Sequence, residues 1–448
     1  PVTSIFLLNI FQICSTKVSK SLNIFVPLPI NQIEKQMQRR KTLSLAAKIF
    51  ICCLILIQLF PPLLVLDSTS LRHFLIALFD ISALGFLINY TLKYKINPIK
   101  RQIFSSRLMI AWLTLLAFMG ISMLWTINPV EGLAVWNRWI VVLLSAILAC
   151  VFMLSENKTF KSLVICTIVI ATINILSCII CYYVFDVHIS QRNNLKLNGF
   201  YGNKNIFAVA LLFKLPFLYY AFLRYKGLIK WYAFALIFFI AFCLVILSTR
   251  SCFIGLGMQL AVLTAYGLYS FAVKHKSKRE LLRFALPIAL AIAGFFAGNS
   301  FIEYNYNHCA KKNVKNNYSV EARFSSIAEG NSKGRLLIWK NTAEIIKQKP
   351  ISGYGVGNHK LAIMKVECAK KHDYIVSDHA HNDFLEMFSE LGVFGLLLYI
   401  LTYLTAAIMT LKQLFDSRSN EIYRLRAMAG GGLILTYMND AIFNFPLE

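Results

Sequence analysis

The sequence predicts an all-α integral membrane protein, a multi-span helical bundle with one long, partly helical connection near its C-terminal end. The composition is the first reason: 57% of the 448 residues are hydrophobic and only 15% are charged, whereas about 25% is usual in a soluble domain. The apolar residues also form runs of about twenty, long enough to cross ~30 Å of hydrocarbon as helix. Basic residues, finally, concentrate in alternate connections between these runs, as the topology of a multi-pass protein requires.

Eleven apolar runs fit membrane spans. Their approximate bounds are 46–66, 72–92, 108–126, 136–154, 163–184, 205–223, 230–248, 252–273, 282–300, 393–411 and 427–446. They divide the chain into a short leader (1–43), nine membrane helices (44–300), a large loop (301–392) and two final helices (393–448).

The connections predict which side of the membrane each loop occupies. One alternate set is rich in Lys and Arg, as in 93–107 and 274–283. The positive-inside rule places this set and the basic leader in the cytoplasm. The other set, which includes the turn 248–251 and the loop 301–392, then faces outward. A loop of about ninety residues is usually functional, so the candidate site is expected there and in the outward turns beside it.

The formal net charge of +25 does not indicate nucleic-acid binding. The basic residues lie mainly between apolar runs, where they favour contacts with anionic membrane lipids. The CxxC spacing at Cys178 and Cys181 lies inside a predicted span. We therefore interpret these cysteines as small buried apolar residues rather than as a metal or redox site.

The large loop ends in a polar segment that contains His381. The apolar residues after it recur at helical spacing, and Asn382 or Asp383 can cap that helix. Gly392 and Gly395 follow three apart, which predicts a helix face that another helix approaches closely. The glycine run 353–357 is interpreted as a turn that lets backbone pass near helices. Asp378, His379, His381, Asp383 and His372 do not show a usual metal-ligand spacing, so no metal is predicted.

The spacing from His381-Asn382 to Gly392 and Gly395 resembles the signature of the O-antigen ligase family, which also includes O-antigen polymerases and O-linked protein oligosaccharyltransferases. Three further segments of about residues 100–446 are similar to the family. They are the arginine-bearing turn Ser248-Thr249-Arg250-Ser251, the helix start Gly202-Asn203-Lys204-Asn205, and the loop segment from Gly334-Arg335 to Gly357. The resemblance implies a GT-C-like fold with about twelve spans, so a further helix beyond residue 448 would fit.

The resemblance also implies a reaction at the periplasmic face of the bacterial inner membrane. The donor would be an undecaprenyl-diphosphate-linked glycan, and the acceptor a hydroxyl of lipid A-core or of another glycan. Arg250 and Arg335 would bind the diphosphate, and His381 would act as the catalytic base. Asn382, Gly392, Gly395, Asn203 and Asn205 would support the site. Arg192, Lys204 and Arg138 are weaker phosphate candidates. No cofactor is expected, and the reaction would be inverting and metal-independent.

Other readings of these residues stay open. Arg250 could extend to lipid phosphates, Arg335 could pair with Glu329 or Glu344, and His381 could serve as a cap. Within the family, ligation is favoured over polymerisation and over protein glycosylation. A transporter is the alternative outside the family, because Asp80, Lys214 and Asp440 fall within predicted spans; a structural membrane protein is another. Cys309 and Cys368 could form a disulfide in the large loop.

Overall fold

A computed structural model describes residues 30–60, 68–95, 97–99, 101–155, 159–185, 187, 196–273, 278–309, 319–321, 333–369, 377–416 and 418–443. Its helices are α1 (Ile30–Leu56), α2 (Ser68–Tyr94), α3 (Arg101–Phe104), α4 (Arg107–Ser122), α5 (Pro129–Ser155), α6 (Thr159–Val184), α7 (Lys204–Leu212), α8 (Leu215–Arg224), α9 (Leu228–Leu247), α10 (Arg250–Ala272), α11 (Lys278–Cys309), α12 (Lys333–Gln348), α13 (His359–Ala369), α14 (Asp383–Phe415) and α15 (Glu421–Phe443). The 3₁₀ turns Ile57–Leu59 and Met123–Trp125 follow α1 and α4.

These helices confirm the predicted all-α membrane fold. In the described part of the chain, ten helical stretches are long and apolar enough to cross a membrane. They coincide with the first ten predicted spans. The eleventh, 427–446, corresponds to α15, which packs against α10 and α14 and is largely buried but does not belong to these ten. Large apolar side chains such as Leu92 and Phe296 remain exposed on the bundle, as expected where lipid replaces water.

The limits of the large loop and of the leader differ somewhat from the sequence-based bounds. Helix α1 already begins at Ile30, within the predicted leader, and α11 continues to Cys309, past the predicted start of the loop. The loop contains α12 and α13, so it is partly helical as predicted. Helix α12 packs against α13 and α14, which holds this part of the loop against the end of the bundle.

The sixth span is broken, although the sequence analysis treated 205–223 as one continuous helix. Helix α7 ends at Leu212 and α8 begins at Leu215 with Pro216 in its first turn. A proline ring clashes with the carbonyl four residues earlier and lacks an N–H to bond it, so Pro216 breaks the helix at Leu212. The Leu212 carbonyl accepts a hydrogen bond from Gln259 Nε2 of α10 instead (3.1 Å).

A second break lies at Gly392, inside α14, where φ is +66°. The carbonyls of Ser389 and Glu390, which lose their helical partners there, accept from the backbone N–H groups of Tyr354 (3.0 Å) and Gly355 (2.7 Å). Val393 N–H donates to the Pro350 carbonyl (2.9 Å). The glycine run 353–357 therefore passes close to a helix, in agreement with its interpretation as a turn.

The two glycines of the motif do not form the predicted helix-packing face. A Cβ at Gly392 would overlap the Ile351 carbonyl, so this glycine makes room for the loop and not for another helix. A Cβ at Gly395 would meet Leu391, which the break brings over it. The sequence prediction assumed one continuous helix through both glycines. The positive φ of Gly392 breaks that helix, so the two glycines do not share a helix face.

We expect Gly392→Ala to destabilise the protein by several kcal/mol. The substitution combines a left-handed backbone, which costs an L-residue roughly 1–2 kcal/mol, with an overlap against rigid backbone. Gly227→Ala is the matched control, because φ is +65° there and no atom lies within 4 Å of its Cβ position. Thermal unfolding in detergent should show a much larger fall in Tm for Gly392→Ala. Equal shifts for the two variants would contradict the packing described at the break.

Candidate active site

Arg250 lies at the first residue of α10, directly after a tight reversal from α9. Ser248 makes this reversal with a left-handed backbone (φ +51°) and donates its N–H to the Leu244 and Val245 carbonyls. The next residue, Thr249, donates from its hydroxyl to Asn205 Oδ1 of α7 (3.3 Å). The α9–α10 turn is thus held against the start of α7, so Arg250 occupies a fixed position at the start of α10.

The start of α7 uses both predicted asparagines. Asn203 is the N-cap residue, and its Oδ1 accepts from the Asn205 N–H (2.8 Å). Asn205 in turn contacts the turn that precedes Arg250. The two asparagines therefore have a structural role beside Arg250. Lys204, a weaker phosphate candidate, is the half-buried first residue of the same helix.

Arg335 lies in the first turns of α12 and is electrostatically coupled to Arg250. Burial lowers the pKa of Arg335, the positive charge of Arg250 lowers it further, and Asp440 of α15 acts in the opposite direction. Two guanidinium groups 85 residues apart in sequence therefore interact electrostatically in the fold. Such a pair of cations favours binding of a polyanion, and the planar guanidinium suits phosphate oxygens.

The segment before α14 holds His381 in an uncommon backbone conformation. His381 has φ +51°, which is unusual for any residue other than glycine and is found preferentially at functional sites. Asn382 is the N-cap of α14, and its Oδ1 accepts from the Leu385 N–H (3.1 Å). The sequence prediction that Asn382 or Asp383 caps this helix is confirmed for Asn382.

Two contacts fix the residue before His381. Trp339 Nε1 of α12 donates to the Ala380 carbonyl (3.0 Å), and the Ala380 N–H donates to Glu386 Oε2 (2.9 Å). Trp339 lies one helical turn after Arg335 on the same face of α12. One helix therefore carries Arg335 and anchors the His381 segment.

A buried polar network, which no sequence pattern indicated, lies next to this segment. Asp383 Oδ2 accepts from the hydroxyls of Tyr399 and Tyr437 (3.3 Å each), which are themselves 3.0 Å apart. Asp383 and Asp440 interact electrostatically, so the network reaches the neighbourhood of Arg335. The tyrosines stand in apolar runs, 16 and 54 residues after Asp383, and their spacing gave no signal of this contact.

The other sequence candidates lie in different places. Arg138 of α5 lines a cavity of about 240 Å³ with residues of α13 and α14, and neither Arg250 nor Arg335 is among the lining residues. Arg192 lies outside the described residues. The candidate metal ligands diverge: His379 Nδ1 pairs with Glu386 Oε1 (2.9 Å) and Asp383 contacts the tyrosines. His372 and Glu329 are also outside the described residues, and Cys368 is a free, exposed thiol.

The residues that suggested a transporter occupy the bundle interior. Asp80 is fully buried and accepts from Ser145 Oγ (2.6 Å). Lys214 lies at the α7–α8 break, where its Nζ donates to the Ala210 carbonyl (2.6 Å). Asp80 thus connects α2 to α5, and Lys214 bonds to the preceding turn of its own span.

His359, which begins α13, is a buried residue that sequence reasoning did not single out. Its Nδ1 lies 2.9 Å from Ser389 Oγ, and its N–H donates to Glu390 Oε1 (3.1 Å). Burial lowers the pKa of His359; Glu386 opposes this shift and His379 adds to it. The neutral imidazole therefore helps hold α13 against the half of α14 that precedes Gly392.

We expect stability to fall as the pH drops from ~7 to ~5, partly because of His359. The unfolded chain binds a proton near pH ~6.5, while the folded chain resists protonation until a lower pH, so acid favours unfolding in this window. His359→Gln should reduce this fall in Tm, and His308→Gln, at an exposed histidine, should not. An unchanged pH dependence in His359→Gln would contradict the assignment.

The arrangement joins a pair of cations to an imidazole on a fixed segment, and the chain resembles a known protein family over the same region. A family model described as O-antigen ligase matches residues 206–400, a range that contains Arg250, Arg335 and His381. A search of curated proteins found no match. The family match implies glycosyltransferase-type activity in a multi-pass membrane protein. Over residues 206–400, this chain is therefore similar to the O-antigen ligase family.

Proposed function

We propose that this protein transfers a glycan from undecaprenyl diphosphate to an acceptor hydroxyl on the periplasmic face of the bacterial inner membrane, and that the acceptor is lipid A-core. The observation that carries this proposal is the coupling of Arg250 and Arg335 beside the segment that holds His381. A lipid diphosphate is the charged group common to donors of this class, and guanidinium groups suit its negative charge and its phosphate oxygens.

The chemistry follows from these positions. The glycosidic carbon–oxygen bond to the diphosphate breaks, and negative charge grows on the departing oxygen. Arg250 and Arg335 stabilise that charge without rearranging, which lowers the barrier. The acceptor oxygen forms the new bond, and its proton moves to the His381 imidazole. Attack from the side opposite the leaving group inverts the anomeric carbon. These steps use no metal ion and no cofactor.

Trp339 is expected to act by positioning the His381 segment. Trp339→Phe keeps the aromatic ring but removes the hydrogen bond to the Ala380 carbonyl, which is worth ~1 kcal/mol. We expect the transfer rate to fall about fivefold at an almost unchanged Tm. Trp231→Phe, at an exposed site on α9, is the matched control. A transfer rate equal to wild type in Trp339→Phe would show that this hydrogen bond does not position His381.

The acceptor can be tested by offering the purified protein two substrates together, undecaprenyl-diphosphate-linked glycan and lipid A-core. The proposal predicts glycan on lipid A-core and no lengthening of the carrier-linked glycan. Lengthening of the carrier-linked glycan alone would identify a polymerase. Glycan on Ser or Thr of an added protein acceptor alone would identify a protein oligosaccharyltransferase. Either outcome would overturn the choice of lipid A-core but keep the family reaction.

A further inference from the structure

A cavity of about 240 Å³ lies between the start of α5 and the part of α14 that precedes Gly392. We call it the α5 cavity; Glu131, Arg138 and Trp139 of α5 line one side and His379, Glu386 and Glu390 line the other. The residues that line it belong to segments that the distribution of basic residues among the loops predicts to face outward. Its lining includes neither Arg250 nor Arg335, so the proposed donor site does not account for it.

The charge of the α5 cavity differs from that of the donor site. Four carboxylates line it (Glu131, Asp378, Glu386 and Glu390), against the cations Arg138 and Lys360 and the imidazole of His379. Lys360 Nζ and Glu131 Oε2 form an ion pair (3.0 Å) whose side chains are a little over one-third exposed. Carboxyl groups outnumber the two cations, so the lining has no excess of positive charge that would hold an anionic ligand. A diphosphate is favoured instead beside Arg250 and Arg335.

The lining suits a polar ligand without an anionic group. Carboxylates accept hydrogen bonds from hydroxyl groups, and Arg138 and Lys360 donate to them. The indole of Trp139, almost fully buried, gives the cavity an aromatic wall. The volume is below the ~300–1,000 Å³ of pockets that hold drug-sized ligands, so the α5 cavity has room for a single ring and not for an oligosaccharide.

The α5 cavity also adjoins the His381 segment. Glu386 lines the cavity and at the same time accepts from the Ala380 N–H (2.9 Å) and pairs with His379 (2.9 Å). A ligand that contacts His379 and Glu386 thus lies beside the residue that precedes His381. A hydroxyl-bearing acceptor must approach the candidate base from such a position, because the diphosphate of the donor occupies the arginine side.

We propose that the α5 cavity binds one sugar ring of the acceptor, a ring without an anionic group, and presents the acceptor hydroxyl toward His381. This inference rests on the proposed glycan transfer for the role of the ring. It adds a binding site for a neutral or amino-bearing sugar and assigns Arg138 to that site instead of to phosphate.

Thiol labelling tests the binding itself and needs no turnover. Ala134 lines the α5 cavity, so Ala134→Cys is introduced into a Cys309→Ser, Cys368→Ser protein and labelled with a membrane-impermeant maleimide. Excess N-acetylglucosamine or glucosamine should slow labelling several-fold, and glucuronic acid should not. Val130→Cys, at an exposed residue of the same helix outside the cavity, should label at the same rate with every sugar. Protection by no sugar, or equal protection by glucuronic acid, would overturn the proposal.

Transfer kinetics test the role of Arg138. Loss of one charged hydrogen bond should raise the KM for lipid A-core about tenfold in Arg138→Gln, with an unchanged KM for the carrier-linked donor. If Arg138→Gln raised only the KM for the carrier-linked donor, Arg138 would be a phosphate ligand and the inference would be wrong. Sugar protection in a protein that transfers no glycan would instead overturn the proposed function while the binding site stands. Transfer without protection would overturn the inference alone.

Discussion

His381→Ala is expected to reduce glycan transfer by about 10²–10⁴-fold, the usual contribution of a general base. The acceptor hydroxyl then has no positioned group to take its proton. Because the side chain lies at the start of α14 and is only half-buried, its removal should leave the fold intact. The measurement is the initial rate of transfer by purified protein at saturating donor, with Tm as the check on folding.

His308→Ala is the matched control for this substitution. His308 is an exposed histidine near the end of α11, where its Nδ1 contacts the Tyr304 carbonyl (2.8 Å). We expect its transfer rate to equal that of wild type. A His381→Ala protein that keeps the full rate would remove the base from the proposed mechanism, and equal losses in both variants would indicate a general effect of losing a histidine.

Arg250→Gln and Arg335→Gln should each lower transfer by about 10²–10³-fold, the loss typical of removing one group that stabilises transition-state charge. The double substitution should lose less than the product of the single losses, because the two guanidinium groups act on one diphosphate. Arg283→Gln is the control, since this arginine pairs with Glu280 and Glu421 at the other end of the bundle. A loss in the double variant equal to the product of the two single losses would show that the two arginines do not share a ligand.

Arg335→Lys separates charge from geometry. Burial and the charge of Arg250 lower the pKa of Arg335, and the same surroundings would lower the pKa of a lysine, which loses its proton far more readily than arginine. Transfer by Arg335→Lys should therefore decline at a lower pH than transfer by wild type, and recover as the pH is reduced. Parallel pH profiles for the two proteins would argue against a buried, coupled cation at this position.

The sequence predicted the features that depend on local pattern. Runs of about twenty apolar residues mark the spans, and the polar segment before a helical pattern marks the Asn382 cap. The spacing of His381, Gly392 and Gly395 indicated the family that residues 206–400 match. The break at Leu212 was also readable, because Pro216 is incompatible with a continuous helix, but the high hydropathy of the run concealed it.

The remaining features depend on contacts between distant segments. Glycine is needed at position 392 because the loop at Ile351 passes over it. The spacing of residues in the sequence does not predict the path of that loop. Arg250 and Arg335 become neighbours only when α12 packs against the bundle. Asp383 contacts Tyr399 across the break in α14 and Tyr437 on α15, so the projection of one continuous helix cannot bring the three together. Arg138 lines one cavity with residues of α13 and α14, which no local pattern around residue 138 predicts.

The most direct test of glycan transfer from a lipid diphosphate is a product balance in proteoliposomes. Purified protein is supplied with undecaprenyl-diphosphate-linked glycan and lipid A-core in the presence of a metal chelator. The proposal predicts that free undecaprenyl diphosphate and glycan-bearing lipid A-core form in equal amounts, and that His381→Ala forms neither. Formation of neither product by the wild type, or of both products at the wild-type rate by His381→Ala, would contradict it.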